Sequence, residues 1–326
     1  MMMQNNFQPS RVLVTGASGF VGRALCSRLT ADGYEVIGTV RNPSSSVARG
    51  IQKAIIGDIQ CFDKWANLLD GVTAVFHLAA RVHELKDRAK DPLADFRRTN
   101  VEGTYKLLLA SVAGGIRRFI YLSTAKVHGE GRETAYSEAD ALSPQDPYAI
   151  SKAEAEQKVC SVGARGDLET IIIRPPMVYG PNVKANFLKL IYMARWHVPL
   201  PLASVDNRRS LVFIENIVDF MVHCLTHPKA ANNAFLISDG NNISTGSLYL
   251  KISEALGTKG RLFHIPPTIL IQLGRLTGKT ATVDRLCGSL MVNSSKAREI
   301  LCWQPPVTID QGIQKTIDWY LRHEAK

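Results

Sequence analysis

Tyr148 and Lys152 stand four residues apart in the run Asp146-Pro147-Tyr148-Ala149-Ile150-Ser151-Lys152. Asp146 suits an N-cap and Pro147 the first helical position, so a helix is predicted to open here. Residues four apart on a helix share one face. An ammonium held beside a phenol favours the phenolate and lowers its pKa from about 10. Such a tyrosine can give or take a proton near neutral pH while a hydride moves at the same carbon. YxxxK also arises by chance in many helices, so its meaning depends on what precedes it.

What precedes it is the segment Val12-Leu13-Val14-Thr15-Gly16-Ala17-Ser18-Gly19-Phe20-Val21-Gly22, a strand, a glycine-rich turn and a helix start. Glycines let the backbone turn tightly and approach a pyrophosphate, and the helix N-terminus then offers free N–H groups and partial positive charge. Gly16, Ser18, Gly19, Phe20, Val21 and Gly22 are therefore candidate cofactor-binding residues. Their spacing is GxxGxxG, not the GxGxxG of the standard dinucleotide fingerprint. At the end of the second apolar run the chain reads Thr39-Val40-Arg41-Asn42, without a carboxylate. An acid there would bond the ribose hydroxyls of NAD, whereas an arginine accommodates the extra phosphate of NADP. Arg41 thus favours NADP(H), with NAD(H) left open; a solvent-facing arginine without a role is the competing reading.

The elements that must position these residues follow a regular rhythm. Val12–Val14, Val36–Val40, Ala54–Ile56, Ala74–Phe76, Phe119–Leu122 and Thr170–Ile173 are near-continuous apolar runs, as parallel strands buried on both faces should be. Helical patterns such as Val21–Ala31 and Val101–Ala113 lie between them, and Gly33 and Gly114-Gly115 stand where those helices should stop. The fold class read from this is α/β, a doubly wound parallel sheet of the Rossmann kind. After Arg174 prolines cut the chain into shorter elements. Residues 10–174 are read as the dinucleotide-binding domain, with segments near 211–225 and 234–239 returning to it. Residues 175–326 supply mainly a smaller, interleaved substrate lobe. The apolar stretch 262–276, with its proline pair, is read as a core helix and turn.

Composition narrows the function classes. The 326 residues carry a formal net charge of +10, spread as single cations and short doublets such as Arg97-Arg98 and Arg208-Arg209. No aromatic-interleaved basic stripe appears, which argues against nucleic acid and leaves a polyanionic small molecule as the natural partner. The six cysteines are scattered without a CxxC pair, so neither a zinc site nor a disulfide framework is expected, and no metal is assigned. No apolar run reaches the roughly 18 residues that span a bilayer. Met1–Pro9 is polar and unlike a signal peptide, so the expected location is the cytoplasm.

The glycine loop resembles that of the short-chain dehydrogenase/reductase superfamily, and the likeness continues along the chain. Gly57-Asp58-Ile59 matches a segment that usually contacts adenine, and His77-Leu78-Ala79-Ala80 matches the loop beside the nicotinamide ribose. Leu122-Ser123-Thr124-Ala125-Lys126-Val127-His128-Gly129 looks like the segment that brings the third catalytic group, here Thr124 with Ser123 as its neighbour. Asn100 matches an asparagine that supports the active site. Arg174-Pro175-Pro176-Met177-Val178-Tyr179-Gly180-Pro181 resembles the signature of the extended members, the nucleotide-sugar epimerases, dehydratases and reductases. In that setting Pro175 would border the cofactor; Ser123, Thr124, Lys126, Val127, Tyr148 and Asn186 would face the substrate; and Arg209 would hold its diphosphate.

Departures from the family pattern help to choose a reaction. Sugar 4,6-dehydratases carry Asp-Glu directly after the catalytic threonine, where this chain has Ala125 and Lys126. His128 replaces the usual tyrosine, either as part of the pocket wall or as a packed histidine. The resemblance therefore implies NAD(P)H-dependent reduction of the C4 ketone of a UDP-linked 6-deoxy-4-keto-N-acetylhexosamine, in surface-polysaccharide (O-antigen or capsule) synthesis. A UDP-sugar 4-epimerase is the alternative. A non-catalytic nucleotide-binding scaffold or sensor and a dihydroflavonol- or steroid-type reductase are lesser ones. A homodimer fits the family, although no residue pattern decides it.

Overall fold

The apolar runs of the first half become parallel strands, because side chains with no polar atoms can be buried on both faces of a sheet. The computed structural model describes residues 10–82, 91–278 and 280–323, so the polar leader Met1–Pro9 lies outside the described residues. Strands β1 (Arg11–Thr15), β2 (Glu35–Val40), β3 (Gln52–Ile55), β4 (Ala74–His77), β5 (Arg118–Leu122) and β6 (Glu169–Arg174) are joined later by β9 (Asn233–Leu236). They form one seven-stranded sheet in the order β3-β2-β1-β4-β5-β6-β9, and every neighbouring pair is parallel. Strands β7 (Met177–Tyr179) and β8 (Leu211–Phe213) make a separate parallel pair.

The helices are α1 (Phe20–Ala31), α2 (Trp65–Leu69), α3 (Pro92–Arg97), α4 (Gly103–Ala113), α5 (Pro147–Gly163) and α6 (Ala185–Arg195). They continue with α7 (Ile214–Thr226), α8 (Thr245–Ala255), α9 (Pro267–Leu276), α10 (Thr280–Cys287), α11 (Ser295–Leu301) and α12 (Ile309–His323). Alternation along each strand divides the core in two. Val12, Val14, Phe76, Ile120 and Ile171 pack toward the side of α1 and α7. Leu13, Val75, Phe119, Tyr121 and Ile172 pack toward that of α2, α4 and α5. The chain winds outward from β1 in both directions, so β1 and β4 flank the point where strand order reverses. The crevice beyond the carboxyl ends of strands at such a point is where α/β sheets bind ligands.

Two sequence expectations are refined and one is corrected. The run Leu211–Ile214 does not enter the large sheet as a strand; it pairs with β7 and turns at once into α7, which packs on α1 and β5. Asp239 fixes that turn by accepting from the Phe213 backbone N–H at 2.9 Å and the Asn216 amide at 2.7 Å. The pattern Val101–Ala113 begins with a π-helical turn, Arg98–Glu102, and only then becomes α4. The stretch 262–276 is no core helix: of α9 only Gly274 is buried, and Ile269, Leu273 and Leu276 face outward.

Candidate active site

The glycine turn is shaped by close approach. Gly16 has φ +70°, and a Cβ there would lie 2.9 Å from the Ala79 backbone nitrogen. A Cβ on Gly22 would lie 2.1 Å from the Gly16 carbonyl oxygen. The loop is closed by the Gly19 N–H donating to Gly16 O at 2.9 Å. Gly19 caps α1 with no side-chain hydrogen bond, so the first amides of α1 keep their donors for a ligand. Ser18, Phe20 and Val21 line this turn and are half-buried, while Gly19 is exposed. This turn, together with the buried Ser123 hydroxyl described below, fits a bound dinucleotide. At the far end of the crevice an open groove of about 410 Å³ is lined by Arg41, Asn42, Gly57 and Asp58. Ile59, next in sequence, is buried.

The loop after β4 is set by a buried histidine that sequence reasoning gave no role. Thr104 Oγ1 donates to Asn100 O at 2.6 Å, so it accepts from His77 Nε2 at 2.8 Å. His77 Nδ1 then accepts from Thr15 Oγ1 at 2.7 Å, and Thr15 Oγ1 in turn accepts from the Leu78 and Ala79 N–H groups, both at 3.1 Å. Burial, helped by the nearby Lys152 charge, lowers the His77 pKa to about 3, which keeps the neutral tautomer that this chain needs. The signal in the sequence is a histidine at the end of an apolar strand; its threonine partners are distant in sequence. Its effect is to fix the Leu78, Ala79 and Ala80 backbone beside the glycine turn.

Asn100 joins that loop to the catalytic helix. Its Oδ1 accepts from the Arg81 N–H at 2.8 Å, and its amide donates to Arg81 O at 3.0 Å and Ser151 Oγ at 2.9 Å. Ser151 Oγ donates onward to Tyr148 O at 2.7 Å. Helix α5 opens as the sequence predicts: Pro147 is its first residue, and Asp146 Oδ1 accepts from the Ala149 N–H at 2.7 Å. Tyr148, half-buried, packs edge-on against Phe96 with ring centroids 6.1 Å apart.

Lys152 is buried, and its Nζ donates to Leu122 O at 2.6 Å and sits 4.0 Å from the centre of the Tyr121 ring. Burial lowers its pKa to about 7, against a smaller pull upward from Glu156. The Tyr148 hydroxyl is not lowered, as the YxxxK spacing suggests it would be. Burial and then the Asp146 carboxylate raise it above its ordinary value. With its charge directed at Leu122 and Tyr121, Lys152 does not offset those two effects in this arrangement.

The turn after β5 supplies hydroxyls. The Ser123 N–H donates to Ile173 O at 2.7 Å and the Ala125 N–H to Pro175 O at 2.8 Å, which anchors the segment to β6 and the prolines. Ser123 Oγ is buried and has no hydrogen-bond partner among the described residues. An orphaned hydroxyl here costs free energy unless a ligand satisfies it. Thr124 caps the short turn Ala125–His128 and accepts from the Lys126 N–H at 3.3 Å. Val127, read from the resemblance as facing substrate, is fully buried. His128 is a packed, buried residue stacked on Tyr136: its Nε2 lies 3.1 Å from Arg174, which is ion-paired with the buried Glu156 at 2.6 Å.

The residues read as substrate-binding are less tightly grouped. Lys126 Nζ is 2.5 Å from Glu130 and 3.1 Å from Asp146, so a bridge to the N-cap of α5 engages it. Arg209 donates to Gly288 O at 2.8 Å and pairs by backbone with Ile243. Burial lowers its pKa, and Glu130 works against that. Asn186 is exposed on the first turn of α6.

Comparison with known proteins agrees with this geometry. Residues 12–238 match the NAD dependent epimerase/dehydratase family. A UDP-glucose 4-epimerase of Vibrio cholerae is 37% identical over 322 residues, covering 96% of both chains. Another, from Mycolicibacterium smegmatis, is 31% identical and covers 95% of this chain and 98% of its own. The structure of a UDP-glucose 4-epimerase from Thermotoga maritima with UDP-glucose superposes with a TM-score of 0.78 at 22% identity, over 96% of this chain and 99% of that one. With its seven-stranded parallel sheet, its glycine turn and its Tyr148–Lys152 helix, the chain belongs to the NAD-dependent epimerase/dehydratase family of extended short-chain dehydrogenases/reductases.

Proposed function

We propose that this protein transfers hydride at C4 of a UDP-linked sugar, and that the net reaction is 4-epimerisation. The observation that carries the reading is that Lys152 Nζ, one turn beyond Tyr148 on α5, bonds the carbonyl of Leu122 at the end of β5. That residue leads directly into Ser123, whose hydroxyl has no partner among the described residues, and Thr124. The two 4-epimerase relatives, similar over nearly the whole chain, support C4 as the reacting carbon. A bound nicotinamide supplies and accepts the hydride.

This chain's own residues do the rest. Tyr148 Oη takes the proton from the 4-hydroxyl on oxidation and returns it to the 4-oxygen on reduction. Lys152, one helical turn from that phenol, bonds the Leu122 carbonyl in this arrangement and supplies charge to the phenolate on turning toward it. Thr124 and Ser123 bond the sugar oxygen and hold it toward Tyr148. Gly16, Ser18, Gly19, Phe20, Val21 and Gly22 hold the pyrophosphate, and Leu78, Ala79, Ala80, Asn100 and Pro175 border the nicotinamide end. Asp58 and Ile59 border the adenine. Residues from 175 onward form most of the sugar-nucleotide lobe, with Arg209 and Asn186 toward the diphosphate and Lys126 at the sugar.

Arg41 favours a second reading, net reduction of a UDP-linked 4-ketone by NADPH. Arg41 is exposed beside the open groove at the end of β2, with no carboxylate on that strand end. Incubating the protein with NAD and either UDP-glucose or UDP-N-acetylglucosamine, followed by proton NMR, tests the first reading. A C4 epimer appearing without net change in coenzyme absorbance supports epimerisation. Stoichiometric NADPH loss with UDP-2-acetamido-2,6-dideoxy-4-hexulose, and no epimer, replaces it with reduction.

A further inference from the structure

Helix α9 presents a side that a water-facing helix would not. Ile269, Leu273 and Leu276 fall at helical spacing, and they are 46, 47 and 83% exposed. Its other side meets α10 and, through Leu270, the main core. The chain just before α9 runs alongside the segment after α6: Leu200 N–H donates to Arg261 O at 2.9 Å, and Phe263 N–H donates to Leu200 O at 3.0 Å. That neighbouring edge adds Trp196 at 74% exposure, with Val198 and Phe263 also exposed.

Within the two chain segments that carry this apolar stripe the charges have one sign, with Asp206, Glu254 and Asp284 lying just beyond them. Between positions 184 and 204 the cations are Lys184, Lys189 and Arg195, and between 255 and 283 they are Lys259, Arg261, Arg275 and Lys279; neither segment contains an aspartate or glutamate. Lys184, Lys189, Lys259, Arg261 and Arg275 are exposed. An outward leucine stripe with a tryptophan beside it, carried on segments whose charges are cations, has the features of a helix that lies in a lipid interface. A second copy of the chain would set these cations against one another unless it met them with a different, acidic face. No helix among the described residues is long and apolar enough to cross a membrane.

We infer that α9 and the adjoining 196–198 and 259–263 edge form a docking surface for an anionic lipid bilayer, with Ile269, Leu273, Leu276 and Trp196 entering the interface and Lys259, Arg261 and Arg275 meeting the headgroups. The surface is separate from the residues that line the glycine turn and the Tyr148 crevice. It would hold the enzyme at a membrane face while leaving that crevice open.

The test uses the full chain with vesicles of phosphatidylcholine, alone or mixed with phosphatidylglycerol. Trp196 is the exposed tryptophan, since Trp65 and Trp303 are buried and Trp319 is half-buried, so its emission reports directly on the patch. The expected result is co-sedimentation and a blue shift with the anionic vesicles, weak or absent with the neutral ones, and reversed by high salt. Each of Arg261→Glu and Arg275→Glu should weaken binding about fivefold or more. Leu273→Ser with Leu276→Ser should weaken it roughly a hundredfold, whereas Leu109→Ser, an exposed leucine on α4, should change nothing. Absence of binding to anionic vesicles at low salt overturns the inference. So does binding that survives the leucine pair, or self-association lost in that variant without any vesicle binding.

Discussion

Replacing Lys152 with methionine should raise the stability of the protein near neutral pH while removing its activity. The ammonium is buried, and its pKa falls from 10.5 to about 7 because burial disfavours the charged form. Below about pH 7 the lysine is charged in both the folded and unfolded chain, so the full cost of burying that charge weighs on the fold. Between about 7 and 10.5 the folded chain has released the proton and the unfolded chain still holds it, so stability climbs with pH. At about 1.4 kcal/mol per pH unit the whole climb approaches about 5 kcal/mol. Losing the hydrogen bond to Leu122 O returns roughly 1 kcal/mol of that when methionine takes the site. Urea unfolding of the coenzyme-free protein from pH 6 to 9.5, wild type against Lys152→Met, isolates the effect because other titrating groups cancel in the difference. The variant should be more stable by a few kcal/mol at the acid end, with the gap closing as pH rises. A gap that does not change with pH, or a variant less stable at pH 6, would refute the assignment of Lys152 as a buried charge.

Further outcomes follow from the same contacts. Gly22→Ala puts a methyl 2.1 Å from the Gly16 carbonyl oxygen, so the turn must shift and titration of NAD or NADPH should show at least tenfold weaker binding. Arg41→Asp should move coenzyme preference toward NAD by about tenfold or more, read as the ratio of the two dissociation constants. Asn100→Ala removes three hydrogen bonds that tie Arg81 and Ser151 together, which should cost about 2–3 kcal/mol in urea unfolding.

The parts of the site legible in the sequence are those where backbone chemistry leaves little choice. The glycine turn needs residues without a Cβ at 16 and 22, and an Asp-Pro pair before Tyr148 can hardly do other than start a helix. Continuous apolar runs gave β1, β2, β4, β5 and β6 their places because a strand buried on both faces tolerates little else, whereas the edge strand β3 (Gln52–Ile55) is largely exposed. What the residues could not reveal depends on partners distant in sequence. Leu211–Phe213 is as apolar as a sheet strand, yet its partner is β7, 34 residues earlier in register. Lys126, read from the resemblance as facing the substrate, is bracketed by Glu130 and Asp146. Val127 sits between the half-buried Lys126 and the buried His128, and its own side chain is fully buried. An amphipathic pattern such as α9 fixes only that one side is apolar, not which way that side faces.

The most direct test is C4 chemistry by wild type and Tyr148→Phe, followed by proton NMR of UDP-glucose and UDP-N-acetylglucosamine with NAD present. The wild type should form the C4 epimer, and the variant should fold, bind coenzyme and lose about a hundredfold or more in kcat with little change in KM. A Tyr148→Phe enzyme that epimerises at near wild-type rate would contradict the account, as would a wild type that leaves C4 of every UDP-sugar untouched with either coenzyme.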